Sequence, residues 1–273
     1  RETPVLIDLK PSGKYYMDDL HKAGGLAPVF RELKALLNLE CMTVTGRTLG
    51  QEIEDLPEPF QQNVVRPFNN PIHLGGSIAV LGGNLAGDGA IIKQSASTEE
   101  LLVHTGRAVV FESIKDLATR IDDPDFDITP DDVLVMRNGG PRGAPGMPEA
   151  GYIPIPRKLA QQGVKDMVRI SDARMSGTAF GTIILHASPE AAVGGPLALI
   201  RNGDMISLNV PERKLTLAVA DDELELRRAV LRPAPDTEQM RGYLRLFHDH
   251  VMQAGSGCDF DFLTSGKPKK KTP

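Results

Sequence analysis

The stretch Val133-Leu134-Val135-Met136-Arg137-Asn138-Gly139-Gly140-Pro141-Arg142-Gly143-Ala144-Pro145-Gly146-Met147-Pro148-Glu149 joins two opposed chemistries. Its first four residues are uniformly apolar, the signature of a fully buried strand, although so short a run does not establish a strand by periodicity alone. Glycine and proline then impose an irregular loop that ends in a carboxylate, Glu149. Loops anchored on a core strand are where functional groups gather. The same texture runs through the chain. Its 273 residues include 27 Gly and 21 Pro, more than the usual share of about 12%, spread between short apolar runs. That spacing predicts many short strands joined by tight turns, with a few helices.

Working outward, strands are expected at 4–9, 77–81, 90–93, 108–111 and 133–136, then near 166–170, 182–186, 197–200, 205–210 and 215–219. Asp18-Asp19 can cap a short helix that Gly24-Gly25 interrupts. Pro28 starts a better one through Leu37, with Val29, Leu33, Leu36 and Leu37 at helical spacing. Residues 112–121 place Ile114, Leu117, Ala118 and Ile121 on one face. Further helices are expected after Pro156, from Asp221 to about Ala229, and over 237–254. Regular βαβ alternation is missing, which argues against a doubly wound nucleotide fold. A β-rich α/β domain, a barrel or a layered sandwich, fits better. It is expected to run over 1–264 as one compact domain, with the lysine-rich stretch 265–273 as a solvated tail.

Composition removes several function classes. The chain carries 31 Lys+Arg against 36 Asp+Glu, a net charge of −5, which argues against a nucleic-acid groove. No apolar run reaches the roughly 18–20 residues that span a bilayer. Two cysteines, Cys41 and Cys258, are too few for a disulfide scaffold or a cysteine-only metal site. No secretory segment opens the chain, and a cytoplasmic setting is the simplest expectation.

Three segments could carry chemistry. Asn69-Asn70-Pro71-Ile72-His73 leads into the glycine-rich run 82–89, which either forms a β-hairpin with a tight turn or presents amides to an anion. It lacks the ending of a phosphate loop. In the loop after 133–136, Glu149 could supply an oxygen ligand to a hard cation such as Mg²⁺, or it is a solvated surface residue. The third segment is Ile170-Ser171-Asp172-Ala173-Arg174-Met175-Ser176-Gly177-Thr178-Ala179-Phe180-Gly181. It runs from a strand into a small-residue turn bearing Ser176, which is not a Gly-x-Ser-x-Gly elbow and on its own reads as structural.

Taken in order, Gly-Pro-Arg-Gly-Ala-Pro-Gly-Met-Pro-Glu (140–149), Ser-Asp-Ala-Arg-Met-Ser-Gly-Thr (171–178) and Ser-Pro-Glu-Ala-Ala-Val-Gly-Gly-Pro (188–196) resemble the dihydroxy-acid and sugar-acid dehydratase family. Lys-Pro-Ser-Gly-Lys-Tyr (10–15), Asn-Pro-Ile-His (70–73), Gly-Asn-Leu-Ala-Gly-Asp-Gly-Ala (83–90) and Asn-Gly-Asp (202–204) extend the likeness over essentially the whole chain. The resemblance is to the C-terminal half of that family. It implies a swivelling, β-barrel-like domain with flanking helices, similar to the mobile domain of aconitase. It also implies an N-terminal half that supplies an iron–sulfur cluster and further Mg²⁺ ligands and is not in this chain. Neither cysteine lies in a cluster motif, so no cluster is expected here.

By the same resemblance, Glu149 is a Mg²⁺ ligand, Ser176 the catalytic base and Thr178 a substrate contact. Arg174 could meet a substrate carboxylate, or pair structurally with Asp172 or a neighbour. His73 and His186 are further candidates to line the site. The implied reaction is dehydration of a 2,3-dihydroxy acid to a 2-keto acid. A serine is too weak an acid to act as base unless nearby cations favour its alkoxide. Asp-Ala-Arg-Met-Ser-Gly-Thr looks like the sugar-acid branch, so an aldonate such as arabinonate or xylonate is favoured over a branched-chain dihydroxy acid. The family also implies a homo-oligomer. Two rival expectations are a non-catalytic swivelling or interaction domain and a phosphohistidine carrier that would use His73.

Overall fold

A computed structural model of the chain describes residues 3–177, 179–231 and 240–264. Where the sequence leads to one domain over 1–264, the chain divides into two compact units, Arg1–Ile78 and Ala79–Pro273. The physical reason is a separate small core in the first unit, where Leu6, Leu20, Ala23, Val29, Val64 and Val65 bury one another. This unit holds α1 (Met17–Lys22), α2 (Ala27–Leu33) and α3 (Leu49–Glu54). Asp19 takes the Tyr16 amide at the start of α1, and Thr48 with Gln51 forms a reciprocal capping box on α3. The strand expected at 4–9 is not one. Val5, Ile7 and Leu9 make single bridges to His73, Val65 and Tyr15, three different partners, so no ladder forms.

The second unit is a closed barrel of eight strands: β1 (Ala79–Gly83), β2 (Ala86–Ile92), β3 (Val103–Phe111), β4 (Val133–Met136), β5 (Arg169–Ser171), β6 (Ile183–Ser188), β7 (Met205–Asn209) and β8 (Lys214–Leu217). Their order around the barrel is β1-β2-β6-β5-β4-β3-β7-β8. The glycine-rich run is the β-hairpin: β1 and β2 pair antiparallel with Gly83 opposite Ala86. The unexpected feature is parallel pairing of β3 with β4, β4 with β5 and β5 with β6. Helices α4 (Ile114–Arg120) and α5 (Arg157–Gln161) lie in the first two of those connections. This accounts for the unbroken apolar run of β4. Val133 and Val135 join the barrel interior, while Leu134 and Met136 pack outward with Leu117, Ile121 and Leu159. A parallel strand covered on both faces has no polar alternation to show.

Helices α6 (Asp221–Ala229) and α7 (Gly242–His250) complete the unit. Of the helix expected over 237–254, residues 237–239 lie outside the described residues, and α7 ends at His250 because Val251 turns out to bridge Phe260. The strand expected at 197–200 is a 3₁₀ turn, Pro196–Leu199. Its carbonyls are claimed by a side chain: Arg137 Nη1 donates to Leu197, Ala198 and Ile200 at 3.3, 2.9 and 3.3 Å. The tail expectation for 265–273 lies outside the described residues.

Candidate active site

Parallel strands put their carboxyl ends on one rim, and ligand sites of such sheets form there, in the loops that leave the strands. Here three loops leave the rim after β4, β5 and β6, and they contain the three segments 140–149, 171–178 and 188–196. The first is folded by its own polar groups. Arg137 pairs with Glu112, Asn138 Nδ2 donates to the Glu112 carbonyl at 2.9 Å, and the amides of Ala144 and Met147 close turns onto Gly140 and Ala144.

Glu149 and Ser176 line the same open cleft of about 240 Å³, together with Tyr152, Met175, Ala179 and Phe180. Ser176 is half-buried, in a turn closed by the Ala179 amide on the Ser176 carbonyl at 3.1 Å. Lys93 donates to the next carbonyl, Gly177, at 3.0 Å. Arg174 does not pair with Asp172. Its Nη1 meets Glu149 Oε1 at 2.8 Å and its Nε donates to the Met147 carbonyl at 2.6 Å. Both partners of this ion pair are well exposed, at 43% and 50%. Thr178 lies outside the described residues.

The two histidines are not brought into this cleft. His186 lines a different cavity, of about 350 Å³, with Asp88 and Cys258 among its walls. Burial, reinforced by the positive charge of Arg174, holds its imidazole below the ordinary value. His73 belongs to the first unit, where its Nδ1 takes the Gly75 amide at 3.1 Å.

Around these loops, three charged side chains are buried and hydrogen-bonded. Asp172 is 1% exposed and accepts the amides of Asn138, Gly139 and Ala191 at 3.2, 2.8 and 2.9 Å. Burial, with the nearby Glu190 charge, raises its pKa to about 6, against the pull of those amides. Glu190, also 1% exposed, accepts the Arg142 and Gly143 amides at 3.0 Å and Gln253 Nε2 at 2.7 Å. Arg169 is paired with Asp166 at 2.6 Å and lies under Tyr152, 5.4 Å from its ring centroid.

For a hard cation such as Mg²⁺, which keeps several waters and takes one or two carboxylates, Glu149 is a suitable single ligand on an open face. Among the described residues no group of three or more His, Cys, Asp or Glu could form a cage. An iron–sulfur cluster takes about four thiolates, and Cys41 and Cys258 fall in separate units. This chain's donors do not fit a cluster. Sequence reasoning missed Tyr152 and Lys93, which carry no motif, and gave Phe180 and Glu190 no role. A signal for the two buried acids was present: each is a lone carboxylate set among small and apolar residues, in Ile-Ser-Asp-Ala and Ser-Pro-Glu-Ala.

Comparison with known proteins finds the chain's matches among dehydratases. The family model described as dihydroxy-acid/6-phosphogluconate dehydratase C-terminal matches residues 63–258, and the corresponding N-terminal model matches residues 1–52. The resemblance is therefore not to the C-terminal part alone. The L-arabonate dehydratase of Azospirillum brasilense is 48% identical over 271 residues, covering 96% of this chain and 46% of the relative. The 6-deoxy-6-sulfo-D-gluconate dehydratase of Pseudomonas putida is 46% identical over 273 residues, 99% of this chain and 47% of the relative. A dihydroxy-acid dehydratase of Methanothrix thermoacetophila is 41% identical over 261 residues, 94% of this chain and 47% of the relative. The chain thus spans about half the length of the curated relatives it matches.

Proposed function

Since the chain belongs to the dihydroxy-acid/6-phosphogluconate dehydratase family, we propose that it is the part of a sugar-acid hydro-lyase that presents Ser176, Arg174 and Glu149 to an aldonate. One observation carries this reading: Ser176 and Glu149 face one open cleft at the carboxyl ends of the parallel strands. The relatives named for arabonate and sulfogluconate match at higher identity than the dihydroxy-acid dehydratase, which favours a sugar acid, a pentonate first. A dehydratase of branched-chain dihydroxy acids is the second reading.

In the reaction the C2–H bond breaks, the C3–O bond breaks, the departing hydroxide is protonated to water, and the enol rearranges to a 2-keto-3-deoxy acid. The Ser176 hydroxyl oxygen takes the C2 proton. It can do so only as an alkoxide, which positive charge favours. The chain's own contributions are the Lys93 ammonium, one residue away at the Gly177 carbonyl, and the Arg174 guanidinium. Arg174 already pairs with a carboxylate, and its planar fork suits the substrate's carboxylate equally. Glu149 would hold Mg²⁺; when bound, that ion supplies charge stabilisation to the substrate's oxygens. Thr178 is proposed as a substrate contact, on resemblance alone.

The complete protein is proposed to carry its iron–sulfur cluster in the portion of its relatives that this chain does not cover. It is also proposed to act as a cytoplasmic homo-oligomer with no nucleic-acid or membrane partner. No helix among the described residues is long and apolar enough to cross a membrane. The test uses the complete, cluster-loaded enzyme with a panel of aldonates and branched dihydroxy acids, monitoring 2-keto acid formation. Ser176→Ala is expected to abolish turnover, and Glu149→Gln to raise the Mg²⁺ requirement. Normal turnover by Ser176→Ala overturns the serine as base, and no turnover of any acid by the wild type favours a non-catalytic module.

A further inference from the structure

We infer that Asp172 and Glu190 are positioning residues, two buried carboxylates that clasp the loops after β4, β5 and β6 so that Glu149 and Ser176 face one cleft. This rests on the functional reading above and assigns a role to the segment 188–196, which that reading leaves idle. Neither acid lines the cleft; each acts through backbone.

The geometry is specific. Asp172, the first residue after β5, sends Oδ1 to the Gly139 amide and Oδ2 to the amides of Asn138 and Ala191. One carboxylate thereby ties together the beginnings of all three loops. Glu190, two residues after β6, takes the Arg142 and Gly143 amides, and Gln253 seals it from behind through two hydrogen bonds, at 2.7 and 2.9 Å. Five backbone amides, those of residues 138, 139, 142, 143 and 191, converge on two anions that water does not reach. A buried carboxylate is tolerable only when such donors surround it. The loop must therefore adopt the path that delivers them. The path is also sterically dictated, since a Cβ at Gly140 would lie 2.6 Å from Glu190 Oε2.

The cleft residues Ser176 and Glu149, and Arg174 beside them, follow closely from the clasp. Arg174 and Ser176 follow Asp172 by two and four residues, and Glu149 follows the Gly143 amide by six. Arg174 then ties the two loops together at their outer ends through Glu149 and the Met147 carbonyl. The clasp fixes the loops' inner ends; the ion pair joins their outer ends. Loosening the first lets the second drift, so the Mg²⁺ affinity carried by Glu149 is expected to fall with it.

The test compares Asp172→Asn and Glu190→Gln with wild type in the complete enzyme, well below their melting temperatures, with Ser176→Ala and Glu149→Gln as reference variants. An amide side chain puts an N–H₂ donor where a backbone donor already points. Asp172→Asn is expected to raise the Mg²⁺ concentration for half-maximal activity about tenfold or more, lowering kcat more than it raises KM. In this chain, amide hydrogen exchange is expected to accelerate at residues 138, 139, 142, 143 and 191 and stay unchanged at 133–136. Wild-type Mg²⁺ dependence and wild-type exchange in both variants would overturn the inference. So would failure of both to fold, which marks the acids as merely structural. If Ser176→Ala and Glu149→Gln keep full turnover, the functional reading has failed instead, and the exchange experiment alone decides the clasp.

Discussion

Replacing Asp166 by alanine removes an acceptor shared by Thr98, Arg169 and Thr182. Its carboxylate takes the Thr182 amide at 3.0 and 2.9 Å through its two oxygens, the Thr98 and Thr182 hydroxyls at 2.8 Å each, and Arg169 Nη2 at 2.6 Å. Arg169 is 1% exposed, so the substitution leaves a guanidinium in the interior with the Met167 and Ile153 carbonyls and the Tyr152 ring face but no counter-charge among the described residues. Breaking a buried ion pair from one side costs about 3–5 kcal/mol. At roughly 2–4 °C per kcal/mol for a unit of this size, that is a fall in melting temperature of about 6–20 °C. Pairing the substitution with Arg169→Met, which removes the orphaned charge, is expected to restore more than half of the loss. Burial pushes the Asp166 carboxyl up, but the Thr98 and Thr182 hydrogen bonds and the Arg169 charge outweigh it and hold the group below its ordinary value. Its contribution is therefore present above about pH 4 and lost as the pH falls through the lower folded value, so the gap between wild type and variant should narrow in acid. The assay is urea unfolding followed by circular dichroism from pH 7 to pH 3. A loss under about 1 kcal/mol at pH 7, or a double variant no more stable than Asp166→Ala, refutes the reasoning.

Two further predictions separate stability from function. With its carboxyl raised to about 6, Asp172 binds its proton more tightly folded than unfolded. Its own contribution to stability therefore falls as the pH rises from about 4 through about 6. The stability of wild type relative to Asp172→Asn should decline across that window in urea titrations, and a flat difference would contradict the raised value. Glu149→Gln should change the unfolding free energy by less than about 1 kcal/mol, because its partner Arg174 is, like Glu149 itself, well exposed. A large loss on thermal unfolding would make Glu149 a structural residue.

Much of the second unit was legible because its signals are local. The run 133–136 coincides with β4, the helix after Pro156 is α5, and Asp221-Asp222 open α6. Each follows from apolar runs, proline or acidic first turns that need no distant partner. The strand expected over 4–9 shows the opposite case, since its residues have strand character but find no ladder. Residues 197–200 show another, because a remote guanidinium takes their carbonyls.

The amino-acid sequence by itself determined that the chain is a β-rich α/β protein of this dehydratase family, and it singled out Glu149, Arg174 and Ser176 through motif order. Tertiary structure alone decided that the barrel contains three consecutive parallel pairings and closes through β1 and β8, that Arg174 pairs with Glu149 and not with Asp172, and that two acids lie buried against backbone amides. Motifs are read along the chain, whereas parallel pairing and the satisfaction of a buried charge depend on groups tens of residues away. Asp172 reaches amides 33 and 34 residues before it and one 19 residues after it. No local pattern encodes such partners; they exist only once β4, β5 and β6 stand side by side.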